Sequence, residues 1–394
     1  MFKKFLLILI VLPLLALLAA AIAVRQLPDL VSKNLRLSLG REVSIGSVRF
    51  EYPFTVVMNQ LRIAENDPFD GETAFYVERA AASVDPWVLW SEHRFRFTKT
   101  SLLRPKIIFR KSLGKVHHAF RGKLTKMPAV SGQAPEGSLD GSAGHIPPML
   151  FDLIHIENGE IQWMDYDVDR KGFVTSLLRI TSDIHGAAIP SGGSGIDFEL
   201  EAYLDQGRDI APGRLQMDGS WRKETLEGNI RASLSGVQLT SFAPYYRMVT
   251  PSRVADGELD IILSAESPGG ILTAHSKWAI RRLSFEQTEP GNMLLGFDAN
   301  LIQGILAGDD GILKLDLAAD MDLRNRSTPL REVLLQSIRK SIKATFLSNF
   351  DSAVQSTVDK LADQGTELLK KQNWKDLLKK NKLQTVVNDV MNPS

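Results

Sequence analysis

Cysteine is absent from all 394 residues. Its absence removes disulfides, thiolate zinc sites, cysteine-ligated iron–sulfur clusters and cysteine nucleophiles from consideration. It fits an oxidising compartment, where stray thiols are hazards, though cytosolic proteins can also lack the residue. An excess of either charge is missing too: 47 basic residues stand against 46 acidic ones. Such a chain lacks the basic face that neutralises nucleic-acid phosphates, so no nucleic-acid partner is expected. Also missing are GxGxxG, GxxxxGK, HExxH and GxSxG, and with them the common nucleotide, zinc-protease and hydrolase signatures. The seven histidines are scattered. After Val24 no segment is long and apolar enough to span a bilayer as a helix.

What is present begins with Lys3 and Lys4, followed by an uncharged apolar run from Phe5 to Val24. At about 1.5 Å per residue, some 20 residues cross the ~30 Å hydrocarbon core. Lysines stay on the cytoplasmic side, so the remainder is expected in the periplasm. Ala21-Ile22-Ala23 resembles a signal-peptidase site, but the run exceeds the usual signal core of about 7–15 residues. The expectation is a retained single-pass anchor over residues 1–25.

Leu27 to Leu39 has helical spacing, and Gly40 suits its C-cap. From there the period is two. Val43 to Ile45 and Val48 to Phe50 alternate with a phase slip at Gly46-Ser47, followed by strands at Leu61–Ile63, Tyr76–Val84, Phe95–Leu102 and Lys106–Arg110. Asp85-Pro86 starts a helical turn through Trp90. This first β segment covers 26–123. Residues 124–149 are rich in Pro, Gly, Ser and Ala and read as a linker or long loop.

A second β segment covers 150–325. Phe198 and Leu200, then Leu259, Ile261 and Leu263, then Leu315 and Leu317 alternate with polar neighbours, giving strands with one apolar and one wet face. Asn158-Gly159 between apolar pairs predicts a hairpin turn, as does Gly308 to Gly311. The run Ile156 to Ile161 echoes Val254 to Leu259. Over 326–394 the period is helical, with Leu334, Ile338, Ile342, Phe346 and Phe350 in one stripe and a lysine-rich tail after Gly365.

The fold class is therefore mostly β. Few helices are available to cover the apolar strand faces, which must be buried by closure, by a second sheet, or against an apolar ligand. Candidate chemistry is sparse. Asp165 to Asp169 resembles the start of a calcium loop, but Arg170 and Ser176 occupy the positions of its Gly and Glu. The acid pairs Glu199/Glu201 and Asp320/Asp322 lie on wet strand faces, and His117 and His118 point to opposite faces. No catalytic residue, metal site or cofactor is assigned. Trp87 and Trp90 are candidates for core packing, for capping a groove or for a membrane interface.

The order of these elements resembles the AsmA-like family. Leu39-Gly40-Arg41-Glu42-Val43-Ser44-Ile45-Gly46-Ser47-Val48 is similar to the entry into that family's first strand. Leu61 to Ile63, Arg104 to Ile107, Ile154 to Ile161 with Asp165, and Val237 to Leu239 leading to Pro244-Tyr245 and Gly257 to Leu259 follow in family order. The resemblance covers about residues 1–110 and 150–290 and rests on short structural motifs. It implies an elongated, curled antiparallel sheet forming a hydrophobic groove, anchored in the inner membrane and active in phospholipid transport or outer-membrane homeostasis, without catalytic residues. The implied partners are phospholipid or another acyl lipid, the inner membrane and an envelope protein. The groove face would be Phe198, Leu200, Leu259, Ile261, Leu263, Leu315 and Leu317. The alternative is a non-enzymatic envelope scaffold or assembly factor with a protein-filled β core. N-terminal sequencing of the mature protein is expected to begin at or near Met1; a start near Val24 would remove the anchor.

Overall fold

The computed structural model describes residues 32–33, 35–36, 40–66, 68–69, 71–92, 94–117, 149–189, 195–247, 253–286, 293–294, 297–298, 311–325, 333, 336–338 and 340–342. The expected membrane anchor, nearly all of the linker and the lysine-rich tail lie outside them. No helix among the described residues is long and apolar enough to cross a membrane. The fold is mostly β, and the chain divides into two compact units.

The first unit comprises residues 1–205 with 220–224. Helical residues 32–33 and 35–36 lead to Gly40, whose φ of +64° and N–H bond to the Arg36 carbonyl (2.8 Å) end the turn. Only glycine takes that conformation at little cost. Strands follow at β1 (Val43–Ser44), β2 (Ser47–Glu51), β3 (Thr55–Ala64) and β4 (Thr73–Val84). Asp85 then caps α1 (Pro86–Glu92), its Oδ1 accepting the N–H groups of Trp87 (3.0 Å) and Val88 (3.3 Å). β5 (Phe95–Leu103), β6 (Lys106–Ser112), β7 (Lys115–His117), β8 (Met149–Asp165), β9 (Phe173–Ile189) and β10 (Ile196–Leu204) complete it. The strand order is β1-β3-β4-β5-β8-β9-β10, with β2 also on β3 and β6 joined to β4, β7 and β8.

Two expectations are corrected here. The sheet is not wholly antiparallel, because β5 and β6 both pair with β8 in parallel. They lie end to end along it, and the ladder bridges the Arg104-Pro105 break: Arg104 N–H donates to Glu157 (2.8 Å), and Glu160 N–H donates to Pro105 (2.7 Å). Asn158-Gly159 is not a hairpin turn either. It is a bulge in the middle of the 17-residue β8, where the register against β9 slips between Ile156 and Gly159 and slips again by Ile161. Asn158 has a φ of +53°, which Asn tolerates in bulges as well as in turns.

The second unit comprises 206–219 and 225–394. It holds β11 (Gly213–Arg222) up to Gly219, β12 (Glu227–Gln238), a 3₁₀ turn (Leu239–Phe242), α2 (Ala243–Arg247), β13 (Val254–Ser267), β14 (Ile271–Phe285) and β17 (Leu313–Asp322). Their order is β11-β12-β13-β14-β17, with β15 (Met293–Leu294) and β16 (Phe297–Asp298) forming a separate ribbon. Its bulge matches the one in β8. The β13–β14 register slips at Asp256 and again by Glu258, opposite Arg282 with a φ of +52°, as Arg179 has +51° in β9. A Cβ on Gly257 would lie 2.9 Å from Leu239 Cδ1 and 3.4 Å from Leu283 Cδ1; one on Gly159 would lie 3.3 Å from both Pro105 Cγ and Ile180 Cβ. The sequence echo is thus a repeated device: a glycine packed beneath apolar side chains, facing an arginine in left-handed conformation.

The buried core of the first unit is Val43, Leu61, Ile63, Ala74, Phe75, Val77 and Ala80, with Leu35, Ile45 and Met58 packed against it. At its rim the Arg41 and Glu65 side chains form an ion pair that is almost fully buried, and Arg41 also donates to the Ala64 carbonyl (3.4 Å). Taking both charges out of water is costly, so the pair adds little net stability, but removing one partner strands the other. Glu65→Ala is expected to lower stability by about 3–5 kcal/mol, and Arg41→Met with Glu65→Leu to recover much of the loss. Denaturant midpoints of the two variants and the parent measure this; a double variant as unstable as Glu65→Ala would refute it.

Candidate lipid-facing surface

Side chains directly opposite one another on paired strands leave the same face of a sheet. This rule turns the strand registers into transverse rows. In the first unit Leu200 lies opposite Ser182, Ser182 opposite Ile156, and Ile156 opposite Leu102. The row continues through Ala80 and Met58 to Val48. Beside it Phe198, Ile184, Ile154 and Thr100 lead to Ala82, Val56 and Phe50. Each row crosses seven strands. Ser182 does not interrupt the apolar character, because its hydroxyl donates to the Glu199 carbonyl (2.7 Å).

In the second unit Leu234, Ile261, Trp278 and Leu315 form one row, and Ala232, Leu263, Ser276 and Leu317 the next. Val237, Leu259, Ile280 and Leu313 flank them on one side, and Ile230, Ala265, Ala274 and Ala319 on the other. The five expected residues of this unit therefore share one four-strand face, and Phe198 and Leu200 belong to the face of the first unit. Phe198, Leu200, Ile261 and Leu263 are half-buried, while Leu259, Leu315 and Leu317 are buried. Helical Ser337, Ser341 and Ile342 are buried, and Ser337 Oγ donates to the Ala318 carbonyl of β17 at 2.9 Å.

The opposite faces carry most of the charge, although Val57 is buried in the row of His155 and Asp183 and Ile262 stands exposed beside Asp260. His155 Nδ1 lies 2.6 Å from Asp183 Oδ1 across β8–β9. Arg282 Nη2 lies 2.9 Å from Glu258, and Arg281 pairs with Glu258 (3.4 Å) and Asp260. Glu258 and then Asp256 raise the Arg282 pKa. Exposed pairs of this kind contribute little energy each, but they mark the side of the strands on which the charges collect.

The calcium-like turn has a different occupant. Asp165 Oδ1 accepts the N–H groups of Asp167 (3.0 Å) and Val168 (3.3 Å), and the Lys111 ammonium lies 3.2 Å from Asp165 and 3.4 Å from Asp167. Burial pulls the Lys111 pKa down, but Asp165 and then Asp167 outweigh it and the net direction is up. The Gly114 N–H is the main cause that lowers the Asp167 pKa. Asp320, Asp322 and Glu199 are exposed on strand faces, and His117 packs edge-on against Phe69 at 5.6 Å.

Core packing of the tryptophans is excluded, for Trp87 is 80% and Trp90 84% exposed. Sequence reading also missed the contributions of Val48, Met58, Ala80, Leu102, Leu234 and Trp278 to the apolar rows. The signal was period-two alternation, broken at these places by alanines and by phase slips at bulges.

No protein family model, no curated protein and no solved structure is similar to this chain.

One polar atom is misplaced on the apolar face. Thr100 is buried, and its Oγ1 has no hydrogen-bond partner among the described residues. An orphaned hydroxyl costs about 1–3 kcal/mol. The near-isosteric Thr100→Val is therefore expected to raise the melting temperature, as read by thermal unfolding; a lower melting temperature would show that the hydroxyl is satisfied.

Proposed function

We propose that this protein shelters lipid acyl chains against the apolar faces of its strands and works from an inner-membrane anchor, with its body in the periplasm, in phospholipid transport or outer-membrane homeostasis. The reading is non-enzymatic. The observation that carries it is the set of apolar rows, buried in part and half-buried over Phe198, Leu200, Ile154, Ile184, Ile261 and Leu263, with most of the charge on the other side of the strands. Contiguous apolar surface that a chain leaves partly open marks an interaction site. Acyl chains suit such rows, because fluid chains adapt to shape and ask only for apolar neighbours. The resemblance of the Leu39 to Val48 entry and of the Ile154 to Ile161 segment to the AsmA-like family supports the same reading, with a hydrophobic groove as its form.

A second reading, an envelope scaffold with a protein-filled core, is favoured at one place. Leu313, Leu315 and Leu317 are buried within the chain itself, so part of that face is covered by the protein's own atoms.

The two readings diverge on overpacking. Enlarging a side chain in a close-packed core costs about 1–3 kcal/mol. Leu317→Trp is expected to cost that much under either reading. Leu263→Trp should unfold at the parent's midpoint if lipid faces it. A photo-crosslinker at Ile261 in the otherwise unaltered full chain, activated in cells, should capture phospholipid identifiable by mass spectrometry. Capture of protein alone, or a Leu263→Trp variant as destabilised as Leu317→Trp, would replace this reading with the scaffold.

A further inference from the structure

The strands of the first unit end differently at their two ends. At one end lie the β2–β3 turn, α1 and the starts of β5 and β8, joined by backbone bonds from Val84 to Phe54 (2.9 Å) and from Asp85 to Arg96 (2.8 Å). Tyr52 is 98% exposed there, and Phe50 and Phe54 are more than half exposed. Trp87 and Trp90 stand three residues apart on α1, hence on one side of it. The cap by Asp85 fixes the start of that helix, and Ser91 Oγ bonds the Trp87 carbonyl at 2.8 Å. Phe97 stacks on Phe151 at 4.9 Å just behind.

At the other end the aromatic rings are packed. Phe69 stacks on Tyr166 at 5.3 Å with the Arg110 guanidinium 5.4 Å from its centroid, and the surface around them is the Lys111, Asp165 and Asp167 cluster. Aromatic content alone therefore does not account for the exposed end.

We infer that the aromatic end of the first unit docks into the interfacial layer of an anionic phospholipid bilayer. Tryptophan and tyrosine have the matching chemistry: a large apolar ring that enters the headgroup–acyl boundary and a polar N–H or O–H that stays hydrated. The charges agree. Arg49, Arg94 and Lys99 flank this end and make no ion pair among the described residues. Of the nearby acids, Glu51 pairs with Arg79 at 3.0 Å, Asp152 with Arg96 at 3.0 Å, and Asp85 caps α1. Glu92 is the carboxylate left over. A protein partner would more commonly be met by rings set in a packed pocket surrounded by a polar rim, whereas these rings stand on a turn and a one-sided helix. The inference does not depend on what the apolar rows hold.

The absence of cysteine provides a clean test. A single Cys at Trp90 (Trp90→Cys) in the full chain is labelled with an environment-sensitive dye, and a second chain carries the label at Leu113 (Leu113→Cys), which is 90% exposed at the opposite strand end. Both are reconstituted in phosphatidylethanolamine–phosphatidylglycerol vesicles with and without doxyl-labelled phospholipid. The expected result is a blue shift and loss of most emission for the Trp90 dye, none for the Leu113 dye, and loss of the Trp90 signal when Trp87 and Tyr52 are replaced by Ser. A Trp90 dye that stays in water, even if added envelope protein then shields it, overturns the inference. Equal quenching at both positions overturns it too, because the body would then be lying on the bilayer without using this end.

Discussion

Direct pairing of side chains across hydrogen-bonded strands is the constraint on which the rest of this structure depends. Each strand offers alternate residues to two faces, and the register decides which residues of its neighbour join them. A slip of one residue in β13 would move Leu259, Ile261 and Leu263 among the charges and carry Glu258 and Asp260 to the apolar side. The Arg281 and Arg282 pairs with Glu258 and Asp260 resist that slip. Their importance is therefore in selecting one register, more than in the small energy each adds.

The bulges are the exception that the pairing rule tolerates, and they recur. Asn158-Gly159 opposite Arg179, and Asp256-Gly257 opposite Arg282, each step the register out and back. Both glycines lie under side chains that leave no ordinary room for a Cβ. A bulge bends its strand and increases the local twist. Two such devices in two units, with related sequences, point to one strand-pair design used twice.

Much of the strand pattern was legible in the sequence because a half-wet sheet writes its period into the chain. Thr73–Val84, Pro86–Glu92 and Phe95–Leu103 lie close to where alternation and the Asp85-Pro86 start place them, whereas the strand read at Leu61–Ile63 is only the last part of Thr55–Ala64. Asn158-Gly159 misled for a physical reason: a positive φ serves a bulge as well as a hairpin, and dipeptide chemistry cannot say whether the chain reverses. Parallel pairing of β5 and β6 with β8 leaves no local mark at all, since it is a choice between distant segments. Of the candidate surface, Leu259, Ile261, Leu263, Leu315 and Leu317 were readable from alternation. Their row-mates Trp278 and Leu234 were not, because neighbours on other strands follow only from register. The exposure of Trp87 and Trp90 was equally hidden, as an aromatic residue in a sequence reads the same whether it ends inside or outside.

The end-to-end placement of β5 and β6 along β8 also sets an order of assembly. Most described neighbours in the first unit follow one another closely along the chain, and such local pairs close quickly. Leu103, by contrast, meets Glu157, so a loop of some fifty residues has to close before that ladder gains any bond, at an entropic cost that grows with the logarithm of its length. Until then β5 and β6 present an unpaired edge, and β8 has no partner on that side. A chain delivered from its N-terminus would hold this edge open while the intervening residues emerge, which makes the interval before β8 arrives the moment when a wrong strand, from this chain or another, can most easily take its place.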